Sequence, residues 1–194
     1  MKKVKTMTST EVANPISNPT PLGLFGFGIT TILLSLCNLG VLDLSMVIIA
    51  VAIVLGGFAE IIAGLFELKF GNTFAGNVFL SFGLFWLSLV LILLLPQIGV
   101  IGVADPVTIG IYLLIFGIFA LLLFISTLKS ILSMKILFVL VTLLFLTLAV
   151  GYIWGLALFM TLGGISGVLA GATGIYIAAG MIINNDWEKD VFKL

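Results

Sequence analysis

The sequence predicts an all-α integral membrane protein with six transmembrane helices, and three observations carry that prediction. Hydrophobic residues make up 62% of the 194 and charged residues 8%, against roughly 45 to 50% and 25% in soluble domains; the mean hydropathy is +1.40. The apolar residues gather into six runs of about 20, the length that about 30 Å of hydrocarbon requires. All the basic residues are lysines, and they fall only at alternate ends of those runs.

The runs cover approximately 22–42, 46–68, 74–95, 107–128, 134–156 and 158–183, each too long for a barrel strand and without its alternation. In lipid, every backbone polar group must then be satisfied inside its own segment, which makes each run a helix. Residues 22–183 form one membrane domain between an N-terminal tail, 1–21, and a C-terminal tail, 184–194. No soluble domain remains. Lys2, Lys3, Lys5, Lys69, Lys129, Lys135, Lys189 and Lys193 share one side, and the opposite loops carry Asp43 and Asp105. The positive-inside rule therefore puts both termini in the cytoplasm of a multi-pass protein of the cell membrane.

The first run opens on Asn18, Pro19, Thr20, Pro21, Leu22, Gly23 and Leu24. Prolines suit an extended entry or a first helical turn, not a helix interior. Further in, Phe27, Thr31, Ser35 and Asn38 recur at steps of four, four and three and share one face. That face is polar beyond one aromatic, which suggests an aqueous path; interhelical hydrogen bonding is the plainer alternative.

The second run has small residues at Gly56, Gly57, Ala59, Ala63 and Gly64 for close helix contact. It also carries Glu60, the one carboxyl well inside a span. A charge there is costly, so Glu60 faces a cavity or a partner; it is the candidate proton site, with a structural acid locked between helices as the alternative. Glu67 and Lys69 lie near the end of the run and read as interface charges. The third run repeats the polar stripe with Asn77, Ser81, Phe85 and Ser88, with Phe82 beside them. In the sixth run, Gly163, Gly167 and Gly171 form one small column and Ala170, Gly174 and Ala178 a second, for packing inside a protomer or between protomers.

Histidine is absent and Cys37 is the one cysteine, so the commonest general base, disulfides and thiolate metal clusters are all missing. No metal, cofactor or nucleic-acid partner is expected, and no constellation for an intramembrane enzyme assembles. A transporter or channel for a small solute fits best. A sensor or assembly role lacks the soluble domain it would use.

The opening segment resembles, with Thr20 in place of Ala, the Asn-Pro-Ala-Pro-Leu-Gly-Leu motif that opens the first helix of the acetate uptake transporter family, the succinate-acetate permease type. Gly56-Gly57-Phe58-Ala59-Glu60 through Glu67, Phe70-Gly71-Asn72-Thr73-Phe74 and Phe82-Gly83-Leu84-Phe85-Trp86 are similar to further segments of it. So are Ser126-Thr127-Leu128-Lys129, with Ser in place of Gly, and Ile175-Tyr176. The similarity spans approximately residues 18–187.

The resemblance implies a protomer similar in fold to proton-gated urea channels, assembled as a homohexamer with one path per subunit. It implies a constriction at Phe27, Phe82 and Val141, where the family has Phe, Tyr and Leu, and it sets Glu60 against a Gln in bacterial members. Counting about 1.5 Å per residue places Phe27, Glu60, Phe82 and Val141 at similar depth, on the cytoplasmic side of centre. The function implied is a channel or proton-coupled transporter for acetate and other short carboxylates such as succinate. A channel for a neutral solute such as urea or ammonia is the alternative. Polar lining is expected from Thr31, Ser35, Asn38, Asn77 and Ser81.

Overall fold

The computed structural model describes residues 17–194; the first 16 residues, with Lys2, Lys3, Lys5 and most of the expected N-terminal tail, lie outside the described residues. Six helices are long and apolar enough to cross a membrane: α1 (Thr20–Asn38), α2 (Met46–Lys69), α3 (Thr73–Leu94), α4 (Pro106–Thr127), α5 (Leu132–Trp154) and α6 (Ala157–Trp187). Among the described residues there is no strand.

The opening motif works as a helix start. Asn18 Oδ1 accepts the backbone N–H of Thr20 at 3.0 Å, Pro21 stands in the first turn, and the two prolines have no N–H to satisfy there. Helix α1 therefore begins at Thr20, two residues before the predicted start. It ends at Asn38, short of the predicted 42, because Gly40 takes φ +70° and its N–H reaches the Cys37 carbonyl at 2.9 Å. The apolar run continues into Val41 and Leu42 although the helix does not, so hydropathy overshoots the cap.

Helix α2 changes character part-way, since residues Ala52–Ala59 wind as a π-helix between two α-helical pieces. The Gly56-Gly57 pair lies within it. Thr30 Oγ1 on α1 donates to the Val51 carbonyl at the upstream boundary, at 3.5 Å. Glu60 is the first residue after the wide turns, and α-helical winding resumes there.

At the far end, α6 runs four residues past the predicted limit, so the expected boundary of the C-terminal tail falls inside the helix. The chain then folds back. The Asn184 amide brackets Phe192, accepting its N–H and donating to its carbonyl, each at 2.8 Å, and the Tyr176 hydroxyl donates to the Lys193 carbonyl at 2.8 Å.

Helix α6 packs along α1 and α5, α5 along α4, and α2 along α3 and α1. The small columns of α6 are used inside the protomer: Gly163 faces Leu148, Gly167 faces Ser35 and Leu144, and Gly171 faces Gly28. The Gly28–Gly171 approach is reciprocal, because a Cβ on either would lie 2.6 Å from the other's carbonyl oxygen. Helices α3, α4 and α5 meet through rings. Phe85 stands 4.7 Å from Phe116 and 5.0 Å from Phe145, and Phe82 stacks on Phe145 at 5.9 Å. Aromatic packing of this kind adds to the dispersion contacts that hold helices together in lipid.

At the start of α4, Asp105 accepts from the backbone N–H of Thr108 at 3.0 Å and from its hydroxyl. These bonds hold its carboxyl below the ordinary value for an aspartate.

Candidate solute path

Two cavities lie end to end through the bundle. The first, about 230 Å³, is lined by Thr20, Asn72 and Ser130 at the end that carries Lys69 and Lys129, and deeper by Phe27, Glu60, Phe82 and Val141. We term it the Lys-end cavity. The second, about 90 Å³, is lined by Phe27, Thr31, Ser35, Asn38, Phe82, Phe85, Trp86, Phe145 and Tyr152, among others. Both have room for water and a small solute.

Phe27 and Phe82 line both cavities and so form the level between them. Phe27 is held there by α6, where Gly174 stands in place of a side chain; a Cβ at that position would come 3.1 Å from the Phe27 ring. Val141 borders the first cavity from α5 and is 3% exposed. The four residues placed at one depth by counting along the helices line one cavity.

Of the polar residues of α1, Thr31, Ser35 and Asn38 line the second cavity. Those of α3 do not. Asn77 and Ser81 border neither cavity; Asn77 is exposed and its amide donates to the Thr73 carbonyl of its own helix at 2.8 Å, while Ser81 is half-buried. Ser88 is spent on the helix contact, with its Oγ 2.6 Å from the Tyr112 hydroxyl on α4.

Thr31 differs from most threonines deep in these helices. Thr142, Thr147, Thr161 and Thr173 each donate to the carbonyl four residues earlier, at 2.6 to 3.2 Å, the usual way for a hydroxyl to be satisfied in a helix. The Thr31 hydroxyl is buried with no partner among the described residues. Glu60 is 1% exposed, and its Oε1 also lacks a partner among the described residues. Thus two of the three unpartnered buried polar atoms found here belong to residues that line the two cavities, one in each.

Glu67 departs from its expected place at the interface. It is 3% exposed, accepting from the Thr20 hydroxyl and from the Asn72 amide, the latter at 2.7 Å. Lys69 is exposed as expected, its Nζ 6.0 Å from the Phe66 ring. Phe145 and Trp86 were not singled out from sequence, although they stand four residues after Val141 and Phe82 on the same helix rows.

A profile of the GPR1/FUN34/yaaH family matches residues 2–189. The chain belongs to that family. A relative in it, the succinate-acetate/proton symporter SatP of Escherichia coli K12, is 43% identical over 179 residues, covering 92% of this chain and 95% of the relative. The solved structure of the bacterial acetate channel SatP superposes with a TM-score of 0.89 at 44% identity, covering 91% of this chain and 97% of that one. The ammonia transport outward protein 2 of Saccharomyces cerevisiae is 34% identical over 161 residues, 79% of this chain and 57% of the relative. These relatives are transporters and channels, and the chain shares their multi-pass helical architecture.

Proposed function

We propose that the protein carries acetate and other short carboxylates across the membrane, with a proton, along the two cavities and through the Phe27, Phe82 and Val141 level. The observation that carries this reading is the pair of unpartnered buried polar atoms, Thr31 Oγ1 and Glu60 Oε1, on either side of an aromatic level. Buried polar groups are nearly always paired, and an orphan facing a cavity points to a ligand or water.

The chemistry suits a carboxylate with a small apolar tail. Thr31, Ser35 and Asn38 can donate to its oxygens while its methyl passes between rings. Neither cavity lining contains Lys or Arg, so no ion pair traps the substrate, as permeation demands. A second negative charge beside an ionised Glu60 would be repelled. A proton shared between Glu60 and the substrate carboxylate removes that conflict. The symporter and channel names of the relatives support the same solute class.

The membrane orientation we infer has the Lys end in the cytoplasm, on the lysine distribution, so that Glu60 stands on the cytoplasmic side of the aromatic level. A homohexamer with one path per protomer, and likeness to proton-gated urea channels, follow from the family resemblance alone, since the small columns of α6 are consumed within the protomer. The name of the yeast relative gives the neutral-solute alternative its support. Uptake of labelled acetate, urea and ammonia analogue into proteoliposomes with an imposed pH gradient separates the two. Protein-dependent acetate uptake driven by the gradient is expected, and uptake of the neutral solutes without acetate would overturn the reading.

A further inference from the structure

Behind the mouth of the Lys-end cavity, a carboxylate is already held by two donors. Glu67 accepts from the Thr20 hydroxyl with Oε1 and from the Asn72 amide with Oε2, at 2.7 Å for the amide. Both donor residues line the cavity, whereas Glu67 stands behind them. Each donor is fixed by its own helix start. The Thr20 N–H is taken by Asn18 Oδ1 at 3.0 Å, and Asn72 caps α3, its Oδ1 accepting from the Ala75 N–H at 3.2 Å. That cap commits the Asn72 oxygen to the backbone and leaves its NH₂ as the donor. Two helix starts therefore aim one hydroxyl and one amide at a single carboxylate.

We propose that Thr20 and Asn72 form a carboxylate-binding site at the Lys-end mouth, which Glu67 occupies as a tethered competitor in the absence of substrate. The identity of the ligand, a short monocarboxylate, rests on the acetate reading above. The match of the donors to a carboxylate is displayed by Glu67 itself, whose functional group is the same as that of the substrate. Exchange replaces one charge-assisted pair of hydrogen bonds by another. The net gain is small, so the site releases what it takes, as a transport path requires. Glu67 lies two residues from the end of α2, within reach of water once displaced.

The competition makes the effect of one partner depend on the other, which a purely structural clasp does not. Acetate binding to the purified full chain is titrated by saturation-transfer NMR at one neutral pH. Glu67→Gln keeps the shape but loses the charge, and is expected to tighten acetate binding roughly threefold. With the competitor weakened in this way, adding Thr20→Ala is expected to weaken binding roughly three- to tenfold, the effect of one lost hydrogen bond, and Thr20→Ser to restore it. In the unaltered chain Thr20→Ala takes one bond from Glu67 and one from acetate, so its effect is expected to be smaller. Weaker or unchanged binding in Glu67→Gln would overturn the proposal, as would no effect of Thr20→Ala in that background or no acetate binding by the unaltered protein. Where Glu67→Gln fails to fold, Glu67→Asp, one methylene too short to reach both donors, takes its place with the same expected signs. Flux through the same variants in proteoliposomes keeps the two ideas apart: these binding shifts without flux sink the transport reading, and flux without them sinks this site.

Discussion

Glu60 and Trp86 stand at different cavities, Glu60 lining the first and Trp86 the second, with Phe27 and Phe82 bordering both. Trp86 is 4% exposed and Glu60 1%, so neither is bathed by bulk water. Where Glu60 carries the proton, Glu60→Gln keeps the hydrogen-bonding shape and loses the titration. The variant is expected to conduct acetate with a flatter pH dependence than the unaltered protein. Because acetic acid crosses bilayers unaided, protein-free liposomes are subtracted at every pH. An unchanged profile after that correction would leave Glu60 as a packing residue.

The aromatic level makes a prediction about neighbours two residues apart. Phe27 lines both cavities and Phe25 lines neither. Phe27→Ala is therefore expected to raise acetate flux or admit larger carboxylates, measured by competition with propionate and butyrate, and Phe25→Ala to do much less. Equal effects would remove Phe27 from the path.

Helix α6 offers two glycines with different outcomes. At Gly171 a methyl meets the Gly28 carbonyl, which belongs to a helix backbone and cannot step aside. Gly171→Ala is expected to cost about 1 to 3 kcal/mol of stability, read as thermal unfolding in detergent. At Gly174 the methyl meets the Phe27 ring at 3.1 Å, and a side chain shifts more cheaply than a backbone. Gly174→Ala is expected to alter acetate flux with a smaller loss of stability.

The polar residues of α3 supply a negative control. Asn77→Ala and Ser81→Ala are expected to leave acetate flux within error of the unaltered protein, since neither residue borders a cavity. A loss as large as that of Thr31→Ala would place a second path along α3.

Orientation is tested by labelling. Single cysteines near Lys129, in a background with Cys37 replaced, are expected to react with a membrane-impermeant reagent only after lysis. Those near Asp105 should react in intact cells. Labelling near Lys129 from outside would invert the topology.

Hydropathy and lysine placement made the six helices legible, because each property is local to a run and alternates with it. On α1 the spacing puts Thr31, Ser35 and Asn38 on one face, and all three border the second cavity. Asn77 and Ser88 misled because a polar side chain in lipid is satisfied by its own backbone or a neighbouring helix as readily as by a water path, and periodicity cannot tell these apart. Glu67 was hidden for another reason. Its partners come from α1 and from the start of α3, and no spacing along α2 reports on them. The rows extending Val141 to Phe145 and Phe82 to Trp86 were readable at four-residue steps.

The wide turns at Ala52–Ala59 make α2 elastic in length. A π-helix closes its hydrogen bonds from i to i+5 and takes about one residue more for each turn than an α-helix. Removing a single residue from this segment lets the remainder tighten toward α-helical winding, with Glu60 and everything after it still facing the same neighbours. The same deletion in the regular turns between Glu60 and Lys69 has no such slack, and would rotate Glu60 and Glu67 relative to each other by about 100°. A survey of natural or engineered length variants should therefore find them tolerated just upstream of the buried acid and refused just downstream.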